Sequence, residues 1–379
     1  MAKTSQPTDP LKIPNAKKEA KQIQELAQLM VTLLDKRYTA KKKPVLRGVH
    51  PKSHGCVKAI FEVRHDIDKE LQQGLFKTPG RRFEALIRYS NAAAVLGPDI
   101  SKEGKHGSRG MAIKVLDVDG RVLLDDDGQK NQDFLMINSP AFAFANVKDY
   151  LRLNQILLKF NDKADAFFAP LDPRLPPVEG LTANDIKRIA ATFAIASKSR
   201  ATPVANPLEI QYFGAAPFLF GKDHVMRFAA QPWGGEKPQI PPNKPSATYL
   251  RKAVTKTMRG NDPICFDFMI QVRRADEKGL NIEDATKHWD DEKFPFVNVA
   301  TIVIPAPQME IDSRKAEAEC ERLVFTPWHS LAAHKPLGGI NRLRKAIYIA
   351  SAEHRGGCAE APSRYRAKVK RTRRALRRR

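Results

Sequence analysis

Read as hydrophobic and polar positions, the chain alternates between two textures. Residues 17–36 place Ile23, Leu26, Met30, Leu33 and Leu34 at helical spacing among Lys, Glu and Gln, which predicts an amphipathic helix. The run KKKPV (41–45) breaks that pattern. Short β-like runs follow: KAIFEV (58–63), ALIRYS (85–90), MAIKVLDV (111–118), RVLLD (121–125) and DFLMIN (133–138), separated by Gly, Pro, Asp and Asn turns. Asp119-Gly120 between two of these runs predicts a hairpin. Helical periodicity returns over 147–161 and over 182–196, the latter behind the cap-like Thr182. Further strands are predicted at LEIQYF (208–213), HVMRF (224–228), CFDFMIQV (265–272) and FVNVATIVI (296–304), with a Pro-rich loop at 234–247. In CFDFMIQV, Phe266, Phe268, Ile270 and Val272 alternate with polar positions, as in a half-buried antiparallel strand. Helical patterns over 313–324 and 338–354 close the sequence of elements.

About nine or ten strands with few β–helix–β alternations argue against a doubly wound sheet. They predict an α+β fold: a large antiparallel barrel or sheet with helices segregated around it. The 379 residues divide into an N-terminal helical arm (1–40), one large domain (41–358) and a basic tail (359–379).

Composition narrows the function classes. At 42% hydrophobic residues the chain can bury a core, so wholesale disorder is excluded. No uninterrupted apolar run approaches the roughly 18 residues of a membrane span, which predicts a soluble protein. The N-terminus has no apolar stretch of the secretory type. Cys56, Cys265, Cys320 and Cys358 lie far apart without a C-x-x-C pair; this spacing argues against a zinc ribbon or a disulfide framework and suits a cytoplasmic protein. The net charge of +23 is uneven: residues 361–379 hold ten Lys/Arg and no acid, leaving +13 for the rest. That tail is expected to be disordered and able to touch anionic surfaces, although a solvated solubility tail is the plainer reading. Nothing else resembles a nucleic-acid module.

Three segments combine reactive side chains with unusual spacing: 45–66, 87–92 continued by 106–115, and 338–355. Apart, each has an ordinary explanation. A His before a strand is commonly a satisfied surface residue, and Arg344 and Tyr348 at i, i+4 are neighbours on any helix. His50 and His54 could suggest a metal pair, but no third ligand is evident; His54 and His65 read as structural or surface residues.

Taken in order, the segments resemble the catalase family. Arg47-Gly48-Val49-His50 followed by Phe61-Glu62-Val63 is similar to that family's Arg-x-Val-His … Phe-Glu-Val signature. Arg88-Tyr89-Ser90, Arg109-Gly110-Met111-Ala112-Ile113-Lys114-Val115, Asn138-Ser139-Pro140, Asp284-Ala285-Thr286-Lys287-His288-Trp289 with Phe294-Pro295, and Arg344-x-x-x-Tyr348 with Arg355 beyond it resemble further motifs of the family. The resemblance spans roughly residues 40–355. The family's Pro-Asp after the ligand Tyr is Ile349-Ala350 here, and the likeness is to compact catalase-related haem proteins, including hydroperoxide-dependent peroxidases and coral-type allene oxide synthases.

The resemblance implies a catalase-like antiparallel β-barrel carrying haem b within it. Tyr348 would be the proximal iron ligand, with Arg344 one turn earlier favouring the phenolate. His50 would be the distal general acid–base, oriented by Ser90. Asn138 would hydrogen-bond the peroxide, although strict register puts the family's Asn at Ile137; either a bulge brings Asn138 inward or the role is unfilled and Asn138 is a turn residue before Ser139-Pro140. Arg47, Arg88 and Arg355 would pair with the haem propionates, while Phe142 and Tyr150 would lie near the macrocycle or pack in the core. Val49 is the residue that typical catalases carry before the distal His, where coral-type allene oxide synthases carry Thr. The implied activity is cleavage of hydrogen peroxide or organic hydroperoxides with an unidentified reductant, possible as a homo-oligomer; rearrangement of a fatty-acid hydroperoxide, or haem binding without catalysis, are the alternatives.

Overall fold

The computed structural model describes residues 15–38, 44–124, 129–175, 178–237, 239–274, 277 and 281–357; the basic tail lies outside the described residues. The strands are β1 (Ser53–Val63), β2 (Arg82–Asn91), β3 (Arg109–Val115), β4 (Gln132–Ile137), β5 (Tyr212–Phe213), β6 (Phe218–Phe220), β7 (His224–Pro232), β8 (Ile264–Arg273) and β9 (Val297–Ile304). They hydrogen-bond in the order β5-β4-β3-β2-β1-β9-β8-β7, and a β5–β7 pairing closes the ring into an eight-stranded antiparallel barrel with β6 appended to β7. Closure satisfies edges that would otherwise present unpaired backbone groups.

Phenylalanines fill the interior. Phe61, Phe134, Phe228 and Phe268 meet with ring centroids 4.7–5.8 Å apart, apart from the more distant Phe61–Phe134 pair at 6.0 Å. Side chains alternate across a strand, so Ile87, Tyr89, Met111, Ile113, Phe134 and Met136 join this core. The intervening Arg88, Ser90, Gly110, Ala112, Leu135 and Ile137 therefore belong to the outer face. The barrel interior is thus a packed core, and the large cavity lies outside it, against β2–β4.

The outer face is roofed by helices α1 (Ala16–Arg37), α2 (Val147–Lys159) and α6 (Gly338–His354). Leu26, Met30 and Leu34 of α1 meet Tyr150 and Leu151 of α2 and Ile340, Leu343 and Ile347 of α6 in one apolar cluster. α3 (Ala183–Ala201) begins with a Thr182–Asp185 capping box, which satisfies backbone donors of its first turn reciprocally. The other helices are α4 (Tyr249–Arg259) and α5 (Arg314–Arg322).

Several predicted elements differ. The described part of the predicted RVLLD run (121–124) is not a hairpin strand: Val122 bridges Leu331, and Leu123 N donates to Ser330 O, so its partner lies some two hundred residues along the chain rather than across Asp119-Gly120. LEIQYF contracts to the two-residue β5. Helix α4 was not predicted; its buried stripe of Tyr249, Leu250, Val254 and Met258 is short and emerges directly from the Pro-rich loop. Cys56 of β1 and Cys320 of α5 form a disulfide with Cα atoms 5.9 Å apart, correcting the expectation that no cysteines pair. Sequence spacing hid the bridge because its ends are 264 residues apart, and the bridge removes the cysteine argument for a reducing compartment. Among the described residues, no helix is long and apolar enough to cross a membrane.

On the outer face, fully buried Lys114 donates to Asp133 at 2.8 Å, and Asp133 is also paired with His329 at 2.8 Å. Removing Lys114 takes the ammonium from a fully buried carboxylate and leaves it, among the described residues, only His329 and the Thr326 amide. Lys114→Met is expected to destabilise the fold by about 3–5 kcal/mol. Chemical-denaturation midpoints test this; an unchanged midpoint would show that the ammonium contributes nothing net.

Candidate active site

A cavity of about 440 Å³ lies between the outer face of β2–β4 and helix α6. Its barrel wall comes from Arg88, Ser90, Gly110, Ala112, Leu135 and Ile137. Its helical wall comes from Leu343, Arg344, Ile347, Tyr348, Ser351, Ala352 and the C-cap Arg355. These recur at intervals of one, three and four, so a single stripe of α6 faces the cavity.

His50 enters from the segment before β1. Its φ is +55°, in the left-handed region that a non-glycine residue occupies at a cost of roughly 1–3 kcal/mol. The surroundings hold it there: His50 N donates to Ala93 O at 3.1 Å, and Gly48 N donates to Ser351 Oγ of α6 at 3.0 Å. The imidazole Nδ1 lies 3.0 Å from Ser90 Oγ. Gly110 makes this pairing possible, since a Cβ there would come within 2.5 Å of His50 Nδ1 and 2.8 Å of Ser90 Oγ. Burial, followed by the positive charges of Arg88, Arg344 and Arg47, pushes the His50 pKa down to about 3. The ring is therefore neutral near pH 7.

On α6 the Arg344 guanidinium carbon sits 5.5 Å from the centroid of the Tyr348 ring, and its Nη1 donates to Asn341 Oδ1 at 3.1 Å. The predicted i, i+4 pair is thus real contact, and both residues line the cavity. Phe142 and Tyr150 line it too, 6.2 Å apart, with Phe144 packed edge-on against Tyr150. Burial, and secondarily Tyr348, raises the pKa of Tyr150, so it stays a neutral phenol. Val49 packs into the same apolar cluster as Tyr348.

Asn138 does not join the cavity wall. Its Oδ1 accepts from Arg109 N at 2.7 Å and Ser108 Oγ at 3.0 Å, tying the end of β4 to the start of β3. Ile137 lines the cavity in its place, following the strand alternation set by Leu135. No bulge intervenes in the β3–β4 register, so the expected inward amide is corrected to a structural one.

Arg47, Arg88 and Arg355 all reach the cavity and converge on the C-terminal end of α5. Arg47 pairs with Glu321 and donates to Cys320 O at 3.1 Å and Leu323 O at 2.6 Å. Arg88 reaches Glu321 Oε1 from Nε at 3.3 Å and from Nη2 at 3.0 Å. Arg355 donates to Glu321 O and to Leu323 O at 2.9 Å, while its buried Nε has no partner. Burial favours the neutral carboxyl of Glu321, but Arg88 and Arg47 outweigh it, and the group lies below the usual carboxylate range. Burial, opposed by Glu321 and reinforced by Arg88, brings Arg355 down to about 10.

Sequence reasoning did not single out Glu321, Ile137, Ser351 or Gly110 as site residues. Gly110 stood inside a quoted motif, but Glu321 and Ser351 carry no local signal and meet the site only through the fold. His54 is buried rather than reactive: its Nε2 lies 2.9 Å from Asn91 Oδ1. Among the described residues no three His, Cys, Asp or Glu side chains converge to hold a bare metal ion.

The residues do fit a flat dicarboxylic macrocycle that brings its own metal. The cavity offers an apolar slot, a cationic cluster with an unsatisfied buried guanidinium nitrogen, and a phenol flanked by a guanidinium. Tyr348 would hold the metal, and Arg47, Arg88 and Arg355 the carboxylates.

No protein-family model matches the chain. It is 26% identical over 298 residues to a catalase from Ascaris suum, covering 75% of this chain. It spans 49% of that relative's length. Among solved structures it is similar to a fungal catalase, with a TM-score of 0.62 at 18% identity over 83% of this chain and 60% of that one. Catalase A from Saccharomyces cerevisiae gives 0.61 at 18% over 84% and 62%, and a bacterial catalase 0.61 at 18% over 96% and 65%. These structural likenesses show the fold.

Proposed function

We propose that this chain, which is similar to catalases in sequence and fold, is a haem-dependent peroxidase- or catalase-like oxidoreductase that cleaves the O–O bond of hydrogen peroxide or organic hydroperoxides. The observation that carries this reading is one apolar cavity faced by both a His50–Ser90 pair and a Tyr348–Arg344 pair.

Haem, when bound, supplies an iron that exchanges electrons with the peroxide. Tyr348 would hold it through its phenolic oxygen, with the Arg344 guanidinium packed against the same ring. His50 does the proton work. With Nδ1–H donating to Ser90 Oγ, the Nε2 lone pair would be free to take a proton from one oxygen of a bound peroxide. The resulting imidazolium then returns that proton to the departing oxygen, so the leaving group departs as water or an alcohol. The apolar lining keeps bulk water from competing for His50.

Purified protein is expected to show a haem absorption band that changes on adding peroxide, with oxygen release or oxidation of an added phenolic reductant. A spectrum indifferent to every peroxide would leave only a haem-binding role.

The depressed His50 pKa also sets the pH dependence. A His pKa near 3 means that the neutral base persists above that value and is lost as pH falls through it. Peroxide turnover is therefore expected to stay flat from pH 8 to about pH 5. An acid limb with its midpoint near 6.5 would show that the imidazole titrates as an ordinary solvated group.

One observation favours a second reading. The cavity continues past Phe144, Leu153, Leu157 and Phe168 to Thr192, Ala196 and Arg200 along one face of α3, room for a bulky hydroperoxide. Conversion of a fatty-acid hydroperoxide to an epoxide, with no response to hydrogen peroxide, would favour rearrangement. Val49 weighs against it, since valine has no hydroxyl with which to restrain His50.

A further inference from the structure

The arginine cluster contains an acid for which the haem reading has no use. Glu321 sits at the C-terminal end of α5, with its carboxylate on Arg47 and Arg88. The three arginines line the cavity, whereas Glu321 does not and so backs them from outside it. Two different kinds of bond are made there. Arg47 and Arg355 are anchored to the main-chain oxygens of Cys320, Glu321 and Leu323, which no substitution at 321 removes. The side-chain hydrogen bonds of Arg88, by contrast, run to a single oxygen of the Glu321 carboxylate. The main chain thus supplies geometry and the carboxylate supplies charge.

Glu321 is also held in place. Its neighbour Cys320 is bridged to Cys56, and Cys56 is the β1 residue that pairs with Arg88 on β2. The bridge keeps the carboxylate within reach of that guanidinium. Three guanidiniums and one carboxylate leave the cluster at +2, which two ionised propionates would neutralise. Those propionates must nevertheless approach cations that already hold an anion, and like charges a few ångströms apart in a partly dry site repel.

We propose that Glu321 is a resident carboxylate that competes with the two haem carboxylates for Arg88 and Arg47, lowering the affinity of the cavity for haem while stabilising the protein before haem arrives. This rests on the haem reading above. Haem loading then exchanges one carboxylate for another at Arg88, and the acid that protects the cluster makes the cofactor easier to release.

The experiment is a spectrophotometric titration of haem-stripped, full-length protein, wild type and Glu321→Gln, with haemin and with haemin dimethyl ester, together with thermal unfolding of the haem-free forms. Glu321→Gln is expected to bind haemin on the order of tenfold more tightly, because one negative charge is gone from beside the incoming two. Its affinity for the uncharged ester is expected to stay within about twofold of wild type, and its haem-free form to melt a few degrees lower. Glu321→Asp keeps the charge and should stay near wild type in both titrations, which separates lost charge from misfolding. Weaker haemin binding by Glu321→Gln would overturn the proposal, as would equal shifts for haemin and its ester. If wild type binds neither ligand, the haem reading itself fails and the proposal falls with it; if wild type binds haemin and Glu321→Gln matches it, only the proposal falls.

Discussion

Tyr348→Phe is expected to abolish most haem retention. The substitution keeps the ring and its packing in the α1–α2–α6 cluster and removes one oxygen. In the proposed site that oxygen is the protein's bond to the iron, and a phenyl ring cannot replace it. Arg47, Arg88 and Arg355 would still attract the carboxylates, so weak binding should persist with a metal spectrum typical of water ligation. The check is the ratio of haem absorbance to protein absorbance after purification, together with the ferric spectrum. An unchanged spectrum and full haem content would exclude Tyr348 as the ligand and leave Arg344 and Tyr348 as ordinary helical neighbours.

His50→Ala should separate binding from chemistry. The His50 imidazole is hydrogen-bonded to Ser90, and among the described residues no hydrogen bond joins it to Arg47, Arg88, Arg355 or α6. Haem content should therefore be retained, while the rate of reaction with hydrogen peroxide falls on the order of 100–10,000-fold, the usual contribution of a positioned acid–base. Stopped-flow measurement of the first spectral change after mixing with peroxide gives this rate directly. Two consequences follow from local structure. His50→Ala keeps the strained φ of +55° but loses the imidazole's bond to Ser90, so modest destabilisation is expected alongside the kinetic loss. Ser90→Ala should have a smaller effect of the same sign, because it frees the ring to rotate without removing it. Equal rates in wild type and His50→Ala would defeat the assignment.

Much of this site was legible in the chain because its chemistry is local. Arg344 and Tyr348 sit four residues apart on a helix whose periodicity is plain, and any helix there must bring them together. Val49-His50 lies a few residues before the strand texture of KAIFEV, which placed His50 near a strand end; the structure starts β1 earlier, at Ser53. The alternation in ALIRYS puts Arg88 and Ser90 on the same face. That periodicity could also have excluded Asn138: once Leu135 faces the helices, Ile137 must follow, and a bulge was the only escape.

What the sequence determined by itself was periodicity: which runs are strands, which stretches are amphipathic helices, and hence an α+β chain with an antiparallel sheet. It also set the side-chain pairs that repeat within one helix or one strand. Tertiary structure alone decided that the more polar face of β2–β4, which carries Arg88, Ser90, Lys114 and Asp133, is covered rather than solvated, because a strand's own alternation does not tell what packs on its second face. It also paired Cys56 with Cys320 across 264 residues and delivered Glu321 to three arginines from distant segments. Such contacts arise from barrel closure and the docking of α5. Their partners are remote along the chain, and no local pattern of hydrophobic and polar residues encodes a neighbour that only folding brings near.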